Sequence, residues 1–304
     1  MRNKFAEIIS LKAKKNKKII VVVADISPAG KMNEFQKKNS KRFINVGVSE
    51  QFMVGFSSGL AIAGLKPFIY TIAPFSIFRP FEMIRDDLCY QNLPVTIVGM
   101  GAGTIYSTLG GTHLSQEDIS VLRGIPNIKI LAPCDPLELE ECLKFCINNN
   151  SGPIYLRIGK SGEKNLTNHK TQKWKFGRIR QIINGEKLCI LSFGPITGKA
   201  FKLSEDFQRK ISVYSCHTLK PFDTMGLRKI FKKYKNIITL EDHSIIGGLS
   251  SIVKSEAFEN KYKGKISSFS LKDKFIHNYG SHEDLLNSHG INSKFIRNKI
   301  KSLI

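Results

Sequence analysis

The chain has 304 residues, enough to bury two hydrophobic cores, and its 41% hydrophobic content suits a globular protein. No apolar run is long enough to span a bilayer, and the segment before Ile19 is polar and charged, so a cytoplasmic protein without membrane contact is expected. The formal charge of +22, from 47 Lys and Arg against 25 Asp and Glu, raises a basic nucleic-acid-binding protein as a non-enzymatic reading. Against it, the lysines are spread over both halves and no zinc-finger or RNP motif accompanies them. A positive surface also attracts phosphorylated substrates or an acidic partner subunit, so no nucleic-acid partner is expected.

In chain order, Ile19 to Ala24 is a continuous apolar run, the pattern of a strand buried on both faces. Asp25 to Lys41 is polar, with a loop at Pro28-Ala29-Gly30. Phe43 to Val46 reads as the second strand and Gln51 to Gly64, rich in Gly, Ala and Ser, as a tightly packed helix. Pro67 to Ile72 is a strand. Pro80 to Gln91 places Phe81, Ile84 and Leu88 at helical spacing. Pro94 to Met100 is a strand that enters a Gly-rich loop. A short helix over Asp118 to Arg123, a strand over Ile128 to Ala132, a helix over Pro136 to Asn148 and a strand over Pro153 to Ile158 follow. Repeated β-then-α order predicts parallel pairing with right-handed crossovers.

The pattern then breaks. The charged segment 161–185 holds the only tryptophan, Trp174, and reads as an interdomain linker. Alternation resumes with strands at Lys187 to Phe193, Ile211 to Ser215 and Ile237 to Leu240. The helices of this part are at Thr197 to Phe207, Thr224 to Lys233 and Leu249 to Glu259. The expected fold is therefore α/β, with two doubly wound domains at 1–160 and 186–304, the second smaller. The six cysteines are scattered, with no CxxC pair, and are expected as reduced thiols packed as small apolar groups.

Glu50 stands where the second strand meets the first buried helix. Open α/β sheets place their ligands at the carboxyl ends of their strands. The structural alternative is a first-turn carboxylate that favours the helix dipole, with Ser49 as the cap. What surrounds Glu50 in the sequence favours a site. The stretch Val46-Gly47-Val48-Ser49-Glu50-Gln51-Phe52-Met53-Val54-Gly55 is followed by Pro74-Phe75. Gly110-Gly111-Thr112-His113, with Glu117-Asp118-Ile119, comes next. Then come Arg123-Gly124-Ile125-Pro126-Asn127, Ala132-Pro133-Cys134-Asp135-Pro136, Gly152-Pro153-Ile154-Tyr155-Leu156-Arg157 and Leu240-Glu241-Asp242-His243-Ser244-Ile245-Ile246-Gly247-Gly248-Leu249. In this order the motifs resemble the transketolase group of thiamine-diphosphate enzymes, from about residue 19 to residue 280.

The resemblance implies a pyrimidine-type thiamine-diphosphate-binding domain followed by a transketolase C-terminal-like domain. It implies that Glu50 bonds the aminopyrimidine ring and so promotes loss of the thiazolium C2 proton. A dry pocket would sharpen that hydrogen bond. Phe75 would stack on the pyrimidine, a contact of about 0.5–1.5 kcal/mol beyond area burial. A core filler is the alternative for Phe75, and Phe78 is the second candidate of that segment. His113 would contact the substrate or the reacting carbon, with a near-neutral pKa suited to proton transfer; otherwise it is a surface histidine. Lys160 and Arg157 match positions near a substrate phosphate, although Lys160 reads equally as a solvated linker lysine. Asp25 matches an aspartate near the cofactor. Glu241-Asp242-His243 is a family marker, structural or at a subunit contact.

One family element is missing. The Gly-Asp-Gly segment that anchors Mg²⁺ and the diphosphate does not occur in this sequence. The implied function is the C-terminal subunit of a two-subunit transketolase-like enzyme. It would transfer a two-carbon ketol unit between sugars or sugar phosphates through a thiamine-diphosphate adduct. The implied partner is an N-terminal transketolase-like subunit that carries Gly-Asp-Gly and holds most of the Mg²⁺ shell, around a homodimer of this chain. The alternatives are the β subunit of a 2-oxoacid dehydrogenase and a deoxyxylulose-phosphate-synthase-like enzyme. The His113 loop favours the transketolase side.

Overall fold

The computed structural model describes residues 1–25, 32–168 and 171–304. The loop read at Pro28-Ala29-Gly30 lies outside the described residues. The first half supplies strands β1 (Ile19–Val23), β2 (Phe43–Asn45), β3 (Lys66–Ile72), β4 (Thr96–Met100), β5 (Lys129–Leu131) and β6 (Ile154–Ile158). The second half supplies β7 (Arg180–Ile183), β8 (Leu188–Ser192), β9 (Ile211–Ser215), β10 (Thr218–Lys220), β11 (Asn236–Ser244) and β12 (Lys265–Leu271). They form a seven-stranded sheet in the order β10-β5-β6-β4-β3-β1-β2 and a five-stranded sheet in the order β12-β11-β8-β9-β7. Pairing is parallel throughout except at two edges, where β10 runs antiparallel to β5 and β7 antiparallel to β9.

The first sheet is buried on both faces, as its uninterrupted apolar strands require. On one face Val22, Ile69 and Ile97 pack with Met53 and Val54 of the helix Glu50–Ile62. On the other, Val21, Val23, Phe68 and Val98 pack with Phe5 and Ile9 and with Leu139 and Leu143. The helix Pro136–Asn148 starts where the sequence dictates: Asp135 accepts the Glu138 N–H and Pro136 fills the first turn. All six cysteines are free and buried. Among the described residues no helix is long and apolar enough to cross a membrane.

Several elements depart from the sequence reading. The N-terminal segment read as merely polar is a helix, Arg2–Lys15. Phe5, Ile8, Ile9 and Ala13 share its buried face while the lysines point outward. Strand β7 lies inside the segment read as linker, where it closes an edge of the second sheet. Strand β10 belongs by sequence to the second domain but joins the first sheet, with Thr218 opposite Leu131. Strand β12 and the helices His282–Ser288 and Ser293–Lys301 complete the second domain. Ser281 and Asp284 form a reciprocal capping box at the first of these helices.

Candidate active site

The site is built at the carboxyl ends of β1, β2, β3 and β4, the edge along which open parallel sheets present their ligands. Asn45, the last residue of β2, organises it. Its side-chain oxygen accepts the backbone N–H of Asp25, beyond β1, and of Gly47, both at 3.0 Å. Gly47 turns the chain with φ of +72°, a left-handed conformation that favours glycine. Glu50 is then the first residue of its helix. It is only 4% exposed, a marked burial for a carboxylate. Ser49 precedes the helix but makes no side-chain capping bond, so the Ser49 cap of the structural alternative is absent.

The segment after β3 provides the opposite wall. Phe75 lies in the short helix Ala73–Ile77, half-buried, and its ring meets His113 edge-on at a centroid separation of 5.1 Å. His113 ends a single 3₁₀ turn, Gly111–His113, and its Nδ1 lies 3.0 Å from the Thr112 hydroxyl. Glu50 and Phe75, which lie far apart in the sequence, are joined by Arg79, and His113 reaches the group through Phe75. The Arg79 guanidinium donates to Glu50 Oε1 at 2.6 Å and lies over the Phe75 ring at 4.2 Å from its centroid. The sequence reading did not single out Arg79. Its signal was its spacing, four residues after Phe75 and one helical turn further along the same wall. Phe78 is 38% exposed at the end of the short helix.

A buried carboxylate beside an aromatic face is the donor set that an aminopyrimidine ring requires, so these residues fit the pyrimidine end of thiamine diphosphate. Asp25 is exposed and holds φ of +41°, tied to the site through Asn45. Lys160 sits with its ammonium 4.8 Å from the centre of the Tyr106 ring, which belongs to the loop that carries His113.

Arg157, read from the sequence as substrate-binding, sits at the contact between the two domains. It is buried at 2% exposure. Its Nε donates to Asp118 at 2.8 Å and its Nη2 donates to the Asp242 carbonyl at 2.9 Å. Burial opposes its charge, but Asp118, with Tyr155 and Asp242, outweighs this and holds the guanidinium pKa above its usual value. Nε and Nη2 are thus engaged within the protein, and the buried side chain offers little surface to a substrate. It ties the first domain to the second instead. Asp118 also accepts the Tyr155 hydroxyl at 2.6 Å. His243 Nε2 is 3.8 Å from Asp118, and burial lowers the imidazole pKa, so the ring is neutral at pH 7. The marker Glu241-Asp242-His243 is structural: Glu241 accepts the Leu249 and Ser250 N–H groups at 2.6 and 3.0 Å and so caps the helix Leu249–Glu259.

Comparison with known proteins agrees with this architecture. Residues 1–163 match the family model of the transketolase pyrimidine binding domain, and residues 177–296 that of the transketolase C-terminal domain. The chain is 32% identical over 284 residues to one of the subunits of the apulose-4-phosphate transketolase of Actinobacillus succinogenes, covering 91% of this chain and 90% of that protein. It is 30% identical to 1-deoxy-D-xylulose-5-phosphate synthase of Clostridium tetani over 96% of its own length, but over 47% of that longer enzyme. Among solved structures, a split-gene transketolase described as an inactive β4 tetramer superposes with a TM-score of 0.86 at 28% identity, covering 99% of this chain and 97% of that one. With both domains matched in order, and with Glu50, Phe75 and His113 gathered at one sheet edge, the chain belongs to the transketolase family.

Proposed function

We propose that this chain is the C-terminal subunit of a two-subunit transketolase-like enzyme that transfers a two-carbon ketol unit between sugars or sugar phosphates. The observation that carries the reading is the buried Glu50 carboxylate facing the Phe75–His113 pair. Thiamine diphosphate, when bound, supplies the electron sink for breaking and forming the carbon–carbon bond. Glu50 hydrogen-bonds the aminopyrimidine from a wall that excludes water, where that bond is strengthened. Phe75 offers its face to the same ring. His113 exchanges a proton with the substrate, and Lys160 lies at the loop's other side as a point charge for a phosphate. His113→Ala is expected to lower turnover by about 10²–10⁴-fold with cofactor affinity little changed, as measured by steady-state kinetics beside titration calorimetry. Unchanged turnover by a folded variant would reduce His113 to a surface residue.

The active form contains a second chain that brings the Gly-Asp-Gly motif and most of the Mg²⁺ ligands. Support comes from the Actinobacillus relative, which is named as one subunit of its enzyme, and from the inactive state named for the solved β4 tetramer. The rim of the site is also apolar and open: Val48 is 66% exposed and Phe52 58%. Further along the same helix Ile62 is 66% exposed, and in the second domain Ile246 is 56% exposed. Such a surface suits a homodimer of this chain flanked by two partner subunits. The purified chain alone is expected to show no thiamine-dependent turnover and to recover it when co-expressed with the partner. Light scattering is expected to give a dimer of this chain within the complex. Robust turnover by the isolated chain, or a stable monomer bound to one partner, would defeat this arrangement.

The identity to 1-deoxy-D-xylulose-5-phosphate synthase favours one alternative activity. Formation of 1-deoxy-D-xylulose 5-phosphate by the complex, without ketol transfer between sugars, would decide for the synthase.

A further inference from the structure

The loop that carries His113 is gripped by the second domain at three places. Its base is a short bridge, in which the Gly103 N–H donates to the Ser115 carbonyl at 3.2 Å and the Ser115 N–H to the Gly103 carbonyl at 3.0 Å. Behind that base stands Asp242, from the end of β11. Both carboxylate oxygens accept the Thr104 N–H at 3.1 Å, and Oδ1 also accepts the Thr104 hydroxyl at 2.8 Å. Gly103 has φ of +74°, and a Cβ there would lie 2.5 Å from the same carboxylate, so the backbone is packed flat against it. His282 closes the cluster, with its Nε2 3.0 Å from Asp242 Oδ2.

The far end of the loop is held independently. At Gly110, φ is +79° and a Cβ would lie 2.8 Å from the Tyr279 ring. One residue past His113, Leu114 is buried with Ile276 and Leu285 in a small apolar cluster of its own. The Gln116 carbonyl accepts the Ser244 N–H at 2.7 Å. Every one of these partners comes from β11 or from the 276–285 segment. From the first domain, His113 has its ring contact with Phe75.

From these contacts we infer that the second domain sets the position of His113, with Asp242, His282 and Tyr279 as positioning residues for the loop 103–115. A loop with glycines at 103, 110 and 111 has no stiffness of its own to hold an imidazole over a reacting atom. Two of its three anchors are side chains that can be changed without opening a core: Tyr279 is 72% exposed and the His282 side chain 36%. The role of the loop in turnover rests on the function proposed above. The coupling between the domains does not, and it is measured first.

Amide hydrogen exchange of the isolated chain, with ¹³C-labelled histidine observed by NMR, is the test. His282→Ala and Tyr279→Ala are each expected to speed exchange of amides 104–114 by about ten- to a hundredfold and to shift the His113 resonance. Exchange in β8 and β6 should stay as in the wild type. His282→Gln, which keeps an N–H donor towards Asp242, is expected to restore most of the protection. In the reconstituted complex, the same Ala variants should lower kcat more than they raise the cofactor Kd. Unchanged exchange at 104–114 in both Ala variants would overturn the inference. So would altered exchange with kcat preserved in an active complex. A complex without ketol-transfer activity in its wild-type form would count against the proposed function alone, with the exchange result still deciding the inference.

Discussion

Glu50→Gln, in the complex with the partner subunit, is expected to lower turnover by about 10²–10⁴-fold and to leave the fold intact. The amide keeps an oxygen for Arg79, so the 2.6 Å contact seen in the wild type has a substitute. What the amide lacks is the ability to share a proton with the cofactor ring. Little stability is at stake either, because Arg79 is 45% exposed and half-exposed ion pairs contribute little. Kinetics and thermal unfolding on the same preparation separate the two effects. Wild-type turnover in a folded Gln variant would remove Glu50 from catalysis and leave it as a first-turn carboxylate.

Arg157→Ala is expected to act the other way, on stability before activity. Its side chain is 3% exposed and its Asp118 partner fully buried, so the variant leaves a carboxylate in the interior without its cation. Removing one partner of such a pair typically costs about 3–5 kcal/mol, to be read from urea unfolding of the isolated chain. The double variant Arg157→Met, Asp118→Asn removes both charges and should recover part of the loss. A single variant within about 0.5 kcal/mol of the wild type would mean that Arg157 is not the joint between the domains.

The strands of the first sheet were legible because they are apolar from end to end. The pattern Ile19 to Ala24 can be buried on both faces or not at all. Glu50 and His113 were legible as motif residues, and their meeting at one edge follows from the strand order. A motif position gives no burial, and only the fold reveals that Asp118 and the Asp242 carbonyl engage Nε and Nη2 of Arg157. Arg79 was missed because its spacing of four from Phe75 carries no meaning until Glu50 and Phe75 face each other. The helix Arg2–Lys15 was hidden by its lysines, although Phe5, Ile9 and Ala13 were there to be counted. Strand β12 is rich in serine and only partly buried, so it has neither an apolar run nor strict alternation. Strand β10 has three residues, and its pairing is set by a sheet more than eighty residues upstream, a distance over which no local pattern carries information.

That small strand makes the two domains poor candidates for separation. Residues 218–220 cover the outer edge of β5, so a protein cut near residue 163 would present Lys129 to Leu131 with bare amide and carbonyl groups. An uncovered strand edge is a template for pairing with other chains. The complementary fragment would lose the surface against which β10 lies straight. Recombination between related subunits that joins one pyrimidine-binding domain to another's C-terminal domain must therefore match this three-residue seam as well as the linker. The two family matches end at 163 and begin at 177, but strand β10 crosses that division.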